Sequence, residues 1–146
     1  MRVKEFLKKI VTIDDMIDVK VNQVAQLRSL LEVGSVRYDK DKIQVSTNDD
    51  KLADTVAKII DLENEINADI DSLIAHKELA RRMIENLNDD REKLILYKRY
   101  FERKSFEQIS VELNYSWRQV HRLHGKALVA LDKIKDVIEC HNESVI

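Results

Sequence analysis

Proline is absent from this chain, and glycine occurs only at Gly34 and Gly125. These are the two residues that most readily end a helix. Proline lacks the backbone N–H and clashes with the preceding turn; glycine loses the most backbone entropy on ordering. A chain almost without them has few enforced breaks, so an all-α fold of long helices is expected. Charged residues make up 36% of the 146 positions and aromatics only 5%. Large apolar groups are too few for one broad core, so the helices are expected to bury narrow stripes.

Two such stripes run through the first 87 residues. Val3, Phe6, Ile10, Ile13, Ile17, Val24, Leu27 and Leu31 follow three-four spacing, with Lys20 as the one interruption. That spacing predicts a helix over residues 3–31, roughly 43 Å long at 1.5 Å per residue. The second stripe is Leu52, Val56, Ile59, Glu63, Ile66, Ile70, Leu73, Lys77, Ala80, Ile84 and Leu87, with Glu63 and Lys77 as polar exceptions. Thr47 or Asn48 is expected to cap it, and Asp49 and Asp50 suit its first turn. Two such helices joined by one connection pack antiparallel, in a coiled-coil-like hairpin. Ile60, Leu62 and Ile74 widen the second stripe beyond one seam, so a second copy of the chain is expected to cover them as a homodimer. Periodicity is lost over residues 33–48, where a mobile loop is expected. The alternative there is a small hairpin of Val36-Arg37-Tyr38 against Ile43-Gln44-Val45.

The chain changes character after Leu87. Six of its eight aromatics fall between Tyr97 and Trp117, and residues 91–126 hold nine basic and four acidic side chains although the whole chain carries −2. Asp89 and Asp90 stand where a helix start favours negative charge. Leu94, Leu96, Tyr97, Tyr100 and Phe101 supply apolar bulk to a helix over residues 91–101. A shorter helix follows, with Phe106, Ile109 and Leu113 on one face. Asn114 then enters a left-handed turn cheaply, Tyr115 plugs the space between helices, and Ser116 is a good N-cap. The last helix is expected to bury Val120, Leu123, Ala127, Leu128 and Leu131. Its outer face carries Trp117, Arg118, Gln119, His121, Arg122 and Lys126. A helix, a tight turn and a helix with a basic outer face make a helix-turn-helix, and such a face offers donors to phosphates and base edges. The candidate DNA-binding residues are therefore Ser116, Trp117, Arg118, Gln119, His121, Arg122 and Lys126, with double-stranded DNA as the partner.

This pattern resembles region 4 of bacterial sigma factors. The likeness is carried by Leu87, Arg91-Glu92, Arg99-Tyr100, Ser105 to Ser110, Leu113 to Ser116, Val120, Ala127-Leu128 and Leu131. It covers about a third of the chain. That family binds a promoter element through this helix-turn-helix, and usually has alanine where Ser110 stands and glycine where Asn114 stands. A wider likeness rests on Lys4 to Leu7, Ile59 to Asp71 and Tyr115 to His124. These stretches resemble small phage and prophage proteins of streptococci and related bacteria. Those proteins are similar in organisation to the ArpU and RinA groups of late-transcription regulators. The resemblance implies a regulator of phage origin that activates late genes, either by contacting host RNA polymerase or by bending promoter DNA.

Two other functions compete. A small terminase subunit is also helical and oligomeric with a helix-turn-helix, though there the DNA-binding unit usually comes first. A helical interaction protein without DNA binding is the third reading. Other chemistries fit worse. Asp61, Glu63, Glu65, Asp69 and Asp71 spread around a helix axis instead of converging, and no nucleophile triad, phosphate loop or HExxH occurs, so no enzyme and no catalytic residue is expected. His121, His124, Cys140 and His141 do not have the paired spacing of a structural zinc site, so neither metal nor cofactor is expected. One cysteine, Cys140, allows no intrachain disulfide, and no run approaches 18 apolar residues, so a cytoplasmic protein without membrane contact is expected, which the phage resemblance would place in a bacterial host. The domains read as residues 1–87 for oligomerisation, 88–139 for DNA, and 140–146 as a tail.

Overall fold

The computed structural model describes the backbone of residues 2–38 and 45–143 and the side chains of residues 3–32 and 49–137. Among these residues the fold is all-α, with no strand. The elements are α1 (Arg2–Tyr38), α2 (Val45–Glu85), α3 (Asp90–Leu96), a π turn (Tyr97–Phe101), α4 (Phe106–Leu113) and α5 (Trp117–Glu143). Two compact units emerge: Ile13–Ser72, and Met1–Thr12 together with Leu73–Ile146.

Within the segment expected as a loop, residues 33–38 and 45–48 are helical. α1 continues through Gly34 to Tyr38, and α2 begins at Val45, upstream of the expected caps Thr47 and Asn48. The alternative hairpin is overturned at Val36-Arg37-Tyr38 and at Val45, which are helical; residues 39–44, Ile43 and Gln44 among them, lie outside the described residues. A single glycine costs a formed helix only about 1 kcal/mol, which is too little to end one that propagation already favours. α5 likewise runs to Glu143 through most of the expected tail.

In the unit Ile13–Ser72 the polar interruptions Lys20 and Glu63 each pair with a charged side chain of the other helix. Lys20 donates to Asp69 at 2.6 Å and lies 3.5 Å from Glu65, while Arg28 donates to Glu63. Rising numbers on α1 meet falling numbers on α2, so the two helices run antiparallel. The bond to Asp69 raises the pKa of Lys20, which stays charged. The acidic run that looked like a candidate for chemistry thus supplies these ion-pair partners. Val24 and Ile59 are buried in this unit. Met16, Val19, Val21, Leu30, Leu52, Val56 and Ile60 are exposed.

The other unit has two cores. One gathers Val3, Leu7 and Ile10 of α1, Ala80, Met83 and Ile84 of α2 with Leu87, Leu96, Tyr100, and Ala127 and Leu131 of α5. The second core belongs to the helix-turn-helix itself: Ile95, Ile109, Val120 and Leu123, with Phe106, Leu113 and Tyr115 packed on it. Ile95 is fully buried while Leu94, expected inside, is 43% exposed. Phe6 stacks on His76, and Lys77, a polar exception of the second stripe, lies 5.6 Å from the Phe101 ring. The Tyr97 hydroxyl donates to Glu85 at 2.6 Å, and burial pushes its pKa up to about 12.

Candidate nucleic-acid interface

Local chemistry fixes each helix of this unit at its ends. Asp89 caps α3 by accepting the Arg91 amide at 2.9 Å, and it also holds the Arg91 guanidinium at 3.0 Å. Those bonds lower the Asp89 pKa. α3 does not continue as an α-helix to Phe101, as its spacing predicts. It widens into the π turn, in which Glu102 N–H reaches Tyr97 C=O at 3.0 Å, and it closes with Arg103 at φ 58°. Such widened turns recur beside functional sites. Lys98 and Lys104 then clasp Glu112 of α4 at 2.9 and 2.6 Å, and Lys104 also lies 3.2 Å from Glu102.

α4 begins with a capping box. The Ser105 hydroxyl accepts the Gln108 amide at 3.2 Å, and the Gln108 side chain accepts the Ser105 amide at 2.9 Å. The Ser-x-x-Gln pattern is the sequence signal for this box. The turn after α4 is as expected. Asn114 sits at φ 54° and ψ 38°, in the left-handed region. Ser110 has a part there that an alanine could not play: its hydroxyl donates to the Tyr115 carbonyl at 2.5 Å, closing the turn. Ser116 caps α5 by accepting the Gln119 amide at 3.1 Å.

α5 is divided lengthwise. Val120, Leu123, Ala127 and Leu131 are essentially without solvent, and Leu128 is half-buried. Ser116, Trp117, Arg118, Arg122 and Lys126 are exposed, and Gln119 is half-buried. His121 does not stand free among them. Its ring lies 4.4 Å from Phe106 and 3.9 Å from Trp117, and its Nε2 is buried without a hydrogen-bond partner. From His121 to Ile134 the helix borders an open groove of about 810 Å³, with Arg122, Lys126 and Lys133 from α5 and Asn86 and Asn88 from the α2–α3 connection.

His124 is the buried member of this helix, 7% exposed, with Nε2 2.9 Å from the Tyr100 hydroxyl. Burial lowers its pKa to about 4, helped by nearby Lys4 and Arg99. With that nitrogen engaged by Tyr100, His124 is a core residue; Cys140 and His141 lie outside the described side chains. The distribution of cations separates two roles. Lys98 and Lys104 are held by carboxylates, as is Arg91. Arg118, Arg122 and Lys126 have no acidic partner among the described residues. Paired cations fix the scaffold, and unpaired ones remain for a polyanion.

Residues 86–133 match the family described as Sigma-70, region 4. The match spans α3, the π turn, α4 and most of α5, about a third of the chain. No curated protein and no solved structure matches this chain. The C-terminal part is therefore a region-4-like helix-turn-helix, a DNA-binding type of unit. Among the described residues no helix is long and apolar enough to cross a membrane.

Proposed function

We propose that this protein is a non-enzymatic transcription regulator of phage origin that binds double-stranded DNA in a sequence-specific way. It acts on promoter DNA together with host RNA polymerase, as an activator of late genes. The observation that carries the reading is the division of α5, with Arg118, Arg122 and Lys126 exposed and unpaired on a helix whose opposite face is buried. The region-4 likeness supports promoter DNA as the target, and the likeness of Lys4 to Leu7 and Tyr115 to His124 to phage proteins supports the origin. Ser116, Trp117, Arg118, Gln119, Arg122 and Lys126 form the proposed DNA face, with His121 beneath it.

Arg118 and Arg122 stand four residues apart, on the same side of α5. Arg118→Ala or Arg122→Ala should leave helicity and melting nearly unchanged, since exposed substitutions usually cost under about 0.5 kcal/mol. Where the arginine reads a base, its loss should cost roughly 1–3 kcal/mol of discrimination at one base pair. Where it holds a phosphate, all sequences should weaken alike and the salt dependence should flatten. Titration of each variant against promoter and scrambled duplexes at two salt concentrations separates these outcomes. Wild-type binding by both variants would refute the assigned face.

We further propose that the helical hairpin, read as residues 1–87, makes the protein a homodimer, so that two recognition helices meet two half-sites. Met16, Val19, Leu30, Val56 and Ile60, all exposed, supply the apolar surface for a second copy. Sedimentation equilibrium at micromolar concentration should return twice the 17.1 kDa chain mass. A monomer would refute the dimer and leave the DNA reading intact.

A further inference from the structure

The chain has one tryptophan, Trp117, the first residue of α5, and 60% of it is exposed. A single exposed apolar side chain is ordinary on a protein surface, so exposure alone does not mark it. This one is held in place. The His121 ring lies 3.9 Å from the indole, Phe106 lies 4.4 Å beyond His121, and the Arg99 guanidinium sits 4.3 Å from the Phe106 ring. Arg99 is itself tied to the Lys104 carbonyl at 3.0 Å, and Phe106 packs on the buried Ile109 cluster. The indole thus ends a column of four side chains that joins the first residue of α4 to the first turn of α5. His121 has its Nε2 buried and unpartnered, so at that atom the ring works as a flat support and not as a donor.

We infer that Trp117 is a base reader whose indole meets the 5-methyl group of a thymine in the major groove, and that His121 and Phe106 are positioning residues for it. The inference rests on the DNA-binding reading above. The first turn of a recognition helix is the part that reaches base edges. The apolar group presented there is the thymine methyl. A side chain already fixed in one orientation loses little entropy on contact, which favours a rigid aromatic over a mobile one.

The test uses the full-length protein and a duplex enriched by it from a randomised pool, with each thymine replaced in turn by uracil. Deleting one buried methyl should weaken wild-type binding about fourfold at one position in each half-site. Binding of the unsubstituted duplex should shift Trp117 emission to the blue and protect it from iodide. Trp117→Ala, checked for native helicity and melting, should still bind but show no sensitive position. His121→Ala should lose the same discrimination, and His121→Phe, which keeps a flat support, should retain it. The inference is overturned if wild type tolerates every thymine-to-uracil change, if Trp117→Ala keeps the sensitive position, or if Trp117 stays open to iodide in the complex. Those results leave the DNA-binding reading standing. Enrichment of no duplex at all would remove both.

Discussion

Replacing Leu7 by alanine is expected to destabilise the unit that carries the helix-turn-helix by roughly 2–5 kcal/mol, the usual range for emptying a buried leucine site. Leu7 lies more than a hundred residues before the recognition helix in sequence. In space it is 1% exposed and shares a core with Ile84, Leu96, Tyr100, Ala127 and Leu131. Its removal leaves a cavity bounded by the ends of α1 and α2 and by α5, which cannot all collapse together. Urea denaturation followed by Trp117 fluorescence reports the state of α5 directly. Val111→Ala is the matched control: Val111 of α4 is 77% exposed and belongs to neither proposed interface, so its loss should stay within about 0.5 kcal/mol. An unchanged midpoint for Leu7→Ala would mean that α5 folds without the first turns of α1.

The second large effect is one of acidity. His124 has its pKa lowered from 6.5 to about 4 by burial. The unfolded chain therefore binds a proton at His124 in the interval where the folded chain does not. Stability from this residue is fully present above pH 6.5 and is lost as the pH falls toward 4. The full loss, reached below the folded pKa, amounts to roughly 3–4 kcal/mol at about 1.4 kcal/mol per pKa unit. Melting temperature should fall across this window. His124→Gln keeps a polar partner for the Tyr100 hydroxyl but has no titrating ring, so its melting curve should be flatter between pH 6.5 and 4. Equal slopes for wild type and variant would show that the acid sensitivity arises elsewhere, as in the carboxylates of Glu85, Asp89 and Glu112, whose pKa values are lowered by their bonds to Tyr97, Arg91 and Lys104.

Much of this molecule follows from local chemistry, and local chemistry is what a sequence displays. The absence of proline gives the long helices, and the spacing of Val120, Leu123, Ala127 and Leu131 gives the inner face of α5. Asn114 gives the left-handed turn, and Asp89 and Ser116 give their caps. Each of these is decided by groups within a turn or two of one another. The same locality explains why residues 33–38 and 45–48 are helical although their sequence argues for a loop. Gly34 is a real signal against a helix, but it is worth about 1 kcal/mol and does not stop one already formed over the preceding turns.

Tertiary structure decided the rest, because the deciding groups lie far apart in the chain. Val3, Leu7 and Ile10 belong to one apolar stripe by their spacing, and nothing in that spacing says that α5 will share their core. Lys20 and Glu63 look like flaws in two separate stripes until the antiparallel pairing brings Lys20 to Asp69 and Glu63 to Arg28. His121 has the helical phase of an outer residue, yet Phe106 and Trp117 close over its ring. His124 has no charge partner in sequence to mark it, and its titration is set by burial against Tyr100. The sequence determined which helices form and which face of α5 is basic. The fold alone decided which side chains support that face, because support is a matter of contact and burial between elements that periodicity cannot place side by side.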